Sequence, residues 1–131
     1  MVRRFLVGAV LAFPLAALAV DPGSWEMSLV TMMTGQPQPA AVTQTRCFSE
    51  ADARDPSRVL SAGGSCTFTN RNDSGGVFTF EIACSGPLPM KGKGRVEYTA
   101  QTMDADLDLV AGDGGGFGMR TFVKGRRLGP C

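Results

Sequence analysis

An all-β domain is the fold this sequence predicts: one antiparallel sheet of about seven short strands, curled as a half-barrel or small barrel and stapled by two disulfides. Three observations predict it. Apolar and polar residues alternate with period two in short runs, and clusters of glycine, proline and asparagine separate those runs. Helical patterning is confined to one brief stretch. All four cysteines, an even number, follow a leader-like N-terminus.

That N-terminus carries Arg3-Arg4, an apolar run from Phe5 to Leu18 and the small-residue triplet Ala17-Leu18-Ala19. It reads as a secretory signal peptide, residues 1–19, cleaved after Ala19 to leave one β domain over 20–131. The apolar run is short for a membrane span of about 20 residues, so the mature chain is expected not to span a membrane. Loss of Arg3 and Arg4 leaves 11 basic against 12 acidic residues, a net charge of −1. Such a balance argues against nucleic acid or an anionic membrane as partner.

The mature chain opens on Pro22-Gly23. Trp25, Met27 and Leu29 then share one face of a first strand running to Thr31, and Glu26 and Ser28 share the other. Pro37 and Pro39 interrupt the pattern, since neither can donate to a ladder, and Val42–Phe48 resumes it as a second strand. Ser49 is placed to cap a single helical turn over Glu50–Arg54, which Asp55-Pro56 ends. Ser57–Ser65 reads as a loop.

Cys66–Asn70 and Val77–Cys84 are the arms of a hairpin about the turn formers Asn72-Asp73-Ser74-Gly75-Gly76. Pairing the arms about Gly75 sets Phe68 opposite Ile82, Asn70 opposite Phe80 and Cys66 opposite Cys84. This geometry favours a Cys66–Cys84 disulfide and leaves Cys47 with Cys131. The loops closed span 18 and 84 residues, and the chain-entropy model assigns them roughly 3 and 4.5 kcal/mol. Lys93–Thr99, Asp104–Leu109 and Met119–Lys124 complete the strands, with glycine-rich Gly112–Gly116 before the last.

Several residues invite chemistry. Asp104, Asp106 and Asp108 stand on one strand face, but the glycine and bidentate glutamate of a calcium loop are missing, so a solvated face protecting a sheet edge is expected ahead of a calcium site. Met27, Met32, Met33, Met90, Met103 and Met119 could supply soft sulfurs for Cu(I), yet they show no Met-x-Met or histidine cluster and suit gap-filling in a core. Trp25 is expected in the core, and Arg126-Arg127 as solubilising charge. The chain has no histidine, the commonest general base, and its four cysteines are expected to be oxidised, which would leave no thiolate. Ser85 with Lys91 or Lys93, and Glu97 with the aspartates, lack a spacing signature. The chain is expected not to be an enzyme, to need no cofactor and to use no metal.

Laid end to end, Pro22-Gly23-Ser24-Trp25-Glu26, Thr45-Arg46-Cys47 with Ser49-Glu50-Ala51-Asp52-Ala53, the two central cysteines, Gly92-Lys93-Gly94 and Lys124–Cys131 resemble one family, the exported bacterial domain of unknown function 3617. The resemblance covers nearly the whole mature chain. It implies a periplasmic location and carries no activity, and Met119–Val123 is poorer in methionine than the family's last strand. The expected role is binding or envelope-associated: a concave sheet face holding a small apolar molecule or a periplasmic protein segment. Metal handling, copper through the methionines or calcium through the aspartates, is the alternative.

Overall fold

The computed structural model describes residues 19–55, 57–60, 66–112 and 116–131. Most of the expected signal segment, Pro56, residues 61–65 and the centre of the glycine-rich turn lie outside them. Seven strands form one antiparallel sheet: β1 (Gly23–Met33), β2 (Val42–Phe48), β3 (Cys66–Ser74), β4 (Val77–Cys84), β5 (Met90–Tyr98), β6 (Thr102–Ala111) and β7 (Gly118–Gly129). Their order is β2-β1-β7-β6-β5-β4-β3. β2 and β3 are edges and do not pair, so the sheet is open; of the two expected shapes, half-barrel or small barrel, the closed barrel is not made. Two short helices, α1 (Glu50–Arg54) and α2 (Ser57–Leu60), lie on the connection between those edges.

Local chemistry accounts for most boundaries. At the hairpin tip Gly75 and Gly76 have φ of 58° and 91° between the paired Ser74 and Val77, the positive angles that a tight two-residue turn needs. Ser49 caps α1 in a reciprocal capping box with Asp52. Ser57–Leu60, expected as loop, is helical, because the Asp55 side chain accepts from the Ser57 N–H at 3.2 Å and starts a turn. β7 runs on through Arg126 and Arg127 because β1 and β6 keep supplying backbone partners on both sides.

The hairpin places Cys66 opposite Cys84 and Phe68 opposite Ile82. Asn70 does not pair with Phe80. Thr69 pairs with Glu81 and Asn72 with Thr79, so Asn70 and Arg71 bulge against one residue, with Asn70 at φ 49°. The bulge aims Arg71 at the helical connection, where it pairs with Asp55 at 3.2 Å and donates to buried Ser57 at 3.0 Å. The same guanidinium lies 5.6 Å from the Phe68 ring. Disulfides join Cys66 to Cys84, with Cα atoms 4.0 Å apart, and Cys47 to Cys131, at 5.8 Å.

One face of the sheet carries the core. Trp25 stacks on Phe48 with ring centroids 5.2 Å apart, among buried Val20, Ala53, Val96 and Met103. Phe68 and Phe78 pack on Phe80 at 5.1 and 5.3 Å. Both clusters need glycine in the adjoining strand: a Cβ on Gly94 would sit 2.3 Å from the Phe80 ring, and one on Gly125 would sit 2.8 Å from the Met27 sulfur.

Gly94→Ala should therefore cost about 1–3 kcal/mol by overpacking, read from denaturant unfolding. Phe80→Leu should cost less in the Gly94→Ala background than alone. Strict additivity of the two substitutions would show that the ring does not occupy the space over Gly94.

Candidate functional site

The core fills only one end of the concave face. Trp25, Phe48 and α1 plug the end where β1 begins and β2 finishes. Residues 20–22 seal it further: Val20 N–H donates to the Ala53 carbonyl at 3.2 Å, and the Trp25 indole donates to the Asp21 carbonyl at 2.9 Å. Nothing comparable covers the other end among the described residues, and a cavity of about 450 Å³ opens there, within the range of small-ligand sites.

Strand parity determines what lines it. Met27 and Leu29 of β1, Leu107 and Leu109 of β6 and Met119 and Val123 of β7 face inward, at alternate positions of each strand. Across the cavity Ile82, the Cys66–Cys84 disulfide and Met90 complete an apolar wall, and Leu88 stands exposed beside it. Thr31 and Thr121, also lining, share one hydrogen bond between their hydroxyls at 3.1 Å. The remaining polar members are Gln44 and Arg46 of β2. Of the fifteen lining residues Arg46 alone is charged.

Gln44 and Arg46 were read as strand residues, Arg46 also as part of the family segment Thr45-Arg46-Cys47, and not as members of a cavity. The signal was there: both sit at even spacing before Phe48, so they share the face that Phe48 buries.

The carboxylates lie on the opposite face. Asp104, Asp106 and Asp108 belong to β6, between β5 and β7, so the expected edge-protecting role falls away: β6 is interior. Arg120 of β7 binds Asp106 with two hydrogen bonds, at 3.2 and 2.8 Å, and reaches Asp108 at 3.3 Å. Its guanidinium bridges those two carboxylates and meets their charge. Among the described residues no group of three or more His, Cys, Asp or Glu side chains converges as a metal site. Glu97 pairs with Arg95, and Lys93 lies across from Glu81 and Asp108 in the ladder. Of the methionines, Met27, Met90 and Met119 line the cavity, Met103 is buried and Met32 and Met33 flank a shallower depression.

Trp25 is fully buried against Phe48. Arg126 and Arg127 do more than solubilise. Arg126 pairs with Glu26 at 3.0 Å, and Arg127 donates to the Pro22 carbonyl at 2.9 Å, so β7 clamps the start of β1.

Two titratable groups outside the cavity are shifted by the hairpin. Burial opposes ionisation of Asp55, but hydrogen bonds from Ser57 and Arg71, with the Arg71 charge, outweigh it and hold this carboxyl below its ordinary value. Burial, then the hydrogen bond to Asp73 at 2.5 Å and the charge of that carboxylate, push Tyr98 up to about 12.

A family model described as protein of unknown function (DUF3617) matches residues 20–131. Neither a curated protein nor a solved structure matches.

Because the folded pKa of Tyr98 is raised, the stability it contributes is fully present below about pH 10 and is lost as pH climbs through about 12. Tyr98 is the single tyrosine, so phenolate absorbance reads it directly. Asp73→Asn should move its midpoint down toward 10.0, the ordinary value. An unmoved midpoint would mean that Asp73 does not hold the phenol.

Proposed function

We propose, since the chain belongs to the DUF3617 family of proteins of unknown function and inherits no activity from it, that this is a non-catalytic periplasmic binding domain whose cavity receives a small apolar molecule. The observation that carries the reading is the half-filled concave face. A sheet that plugs one end with stacked aromatics and leaves Leu107, Leu109, Met90 and Met119 around an open space retains apolar surface that water wets unfavourably. Thioethers among the walls suit this use, because methionine adapts its shape to an occupant.

Export is supported by the two disulfides, which persist in oxidising compartments. It is also supported by the family match, which begins at residue 20, just after the expected cleavage point. No helix among the described residues is long and apolar enough to cross a membrane. The non-catalytic part of the reading rests on the chain's lack of histidine and on the fact that no cysteine among the described residues is free as a thiol.

The test uses protein purified from the periplasm and a neutral naphthylamine dye that brightens in apolar surroundings. Dye binding is expected, and Leu107→Glu should weaken it by about tenfold or more, since a carboxylate in the wall is desolvated by the ligand. Met119→Glu, at a half-buried position, makes the same test with less risk to folding. Unchanged binding in both variants would refute the cavity as the site. Copper(I) raising the melting temperature of a protein that takes no dye, with the effect lost on replacing Met27, Met90 and Met119 by Leu, would instead favour metal handling through the cavity's thioethers.

A further inference from the structure

We infer that the open end of the sheet docks on a neutral lipid bilayer, from which the cavity takes up its apolar molecule. The inference rests on the apolar-ligand reading above and adds the surface through which the ligand passes. Among the described residues the large apolar side chains left exposed are Met33, Val42, Leu88, Val110, Phe117 and Leu128. All but Leu128 collect at one end. Met33 closes β1, Val42 opens β2, Leu88 lies between β4 and β5, and Val110 and Phe117 flank the turn from β6 to β7. In the antiparallel order these positions fall at the end away from the Trp25 and Phe48 plug, and Leu128 falls at the plugged end. Exposed apolar groups gathered in this way mark a surface that meets another apolar body.

Backbone hydrogen bonds knit the open end into one rim. Thr34 N–H donates to the Gly118 carbonyl at 3.0 Å, Ala111 N–H to the Phe117 carbonyl at 3.0 Å, and Gly112 N–H to the Pro89 carbonyl at 2.8 Å. Leu88 and Met119 stand at this rim and also line the cavity, so the apolar wall continues outward through the mouth. Charge is missing from the same end. Residues 33–45 and 84–90 contain no charged side chain, and 109–119 contain Asp113 alone, which lies outside the described residues. The plugged end, by contrast, carries Glu50, Asp52, Arg54 and Asp55 on α1 and at its caps. An uncharged apolar rim is matched by a surface without net charge, and zwitterionic lipid is such a surface. The shape selects lipid over protein. These side chains ring an opening instead of forming a flat patch, so a rigid partner would leave a void over the mouth, whereas fluid acyl chains fill it. Docking there lets an apolar molecule pass between bilayer and cavity without crossing water.

The experiment floats the protein with phosphatidylcholine vesicles on a density gradient at low and high salt, and measures binding of the neutral dye in a separate sample without lipid. The protein should float with the vesicles. The floated fraction should neither fall at high salt nor rise when phosphatidylglycerol is included, because no charge attraction is used. Val42→Asp combined with Phe117→Asp should weaken vesicle binding by about tenfold or more, since two apolar contacts are lost and two charges face the lipid. Leu128→Asp, comparably exposed at the plugged end, should leave it unchanged. Neither Val42 nor Phe117 lines the cavity, so dye binding should persist in the double variant and shows that it is folded. Unaltered protein that fails to float, or flotation that survives the double substitution, overturns the docking surface, and dye binding retained in that case leaves the apolar-ligand reading standing. Flotation of a protein that takes no dye overturns the uptake of a ligand. A dimer that the double substitution dissociates, with no flotation, overturns the bilayer and assigns this end to a second copy of the chain. The vesicle series on the unaltered protein needs no variant, so a misfolded double variant would not remove the test.

Discussion

The single antiparallel sheet has one apolar face and, among the described residues, two short helices with which to cover it. That shortage shapes the rest of the molecule. Burial of apolar area stabilises at about 25 cal/mol per Å², so the sheet curls until its own inner face becomes its partner. Curling brings bulky side chains of distant strands into the same volume. Glycine at 94 and 125 admits Phe80 and Met27 to that volume, because any Cβ there would overlap them. The stacked Trp25 and Phe48 then fill one end, supported by Ala53 of α1 and by Val20. No aromatic ring is among the residues that line the far end, and the cavity is the consequence.

The same shortage explains where the covalent links fall. β2 and β3 are the two edges, each with a neighbour on one side only, and edge strands fray and invite pairing with other chains. Each edge carries a disulfide: Cys47 ties β2 to the residue at position 131 beyond β7, and Cys66 ties β3 to β4. The Arg71 bulge adds a third anchor, fastening the β3 edge to the connection that crosses between the edges. Charged ladders on the outer face, chiefly Arg120 between Asp106 and Asp108, contribute little each at such exposure. Their clearer effect is to keep carboxylates away from the concave side.

Legibility followed the range of the interaction. β2 and β4 have the very bounds that alternation and flanking turn residues predict, and the Cys66–Cys84 register follows from counting outward from Gly75. The bulge at Asn70 was not legible, since it answers to Arg71 meeting Asp55 and Ser57, a contact between segments. Nor was the interior place of β6, which turned an apparent edge-protecting aspartate row into a paired ladder. At the site, Leu107 was readable as an inward residue from its own strand. Gln44 and Arg46 were not singled out, because polar residues on a strand read as its solvent side until Phe48 is seen buried beside them.

By itself the sequence determined the all-β class, the strand alternation, the hairpin and its cysteine pairing, and the lack of histidine chemistry. These follow from local periodicity, turn propensity and composition, which need no knowledge of what each strand meets. Only the tertiary structure decided the strand order, the open edges, the aromatic plug at one end and the single arginine beside an apolar cavity. Those depend on contacts between residues distant along the chain: Trp25 touches Phe48, Gly94 yields to Phe80, and β7 enters between β1 and β6. No local pattern encodes such pairings, because the free energy that selects them arises only when the strands have assembled into one sheet with its apolar face packed.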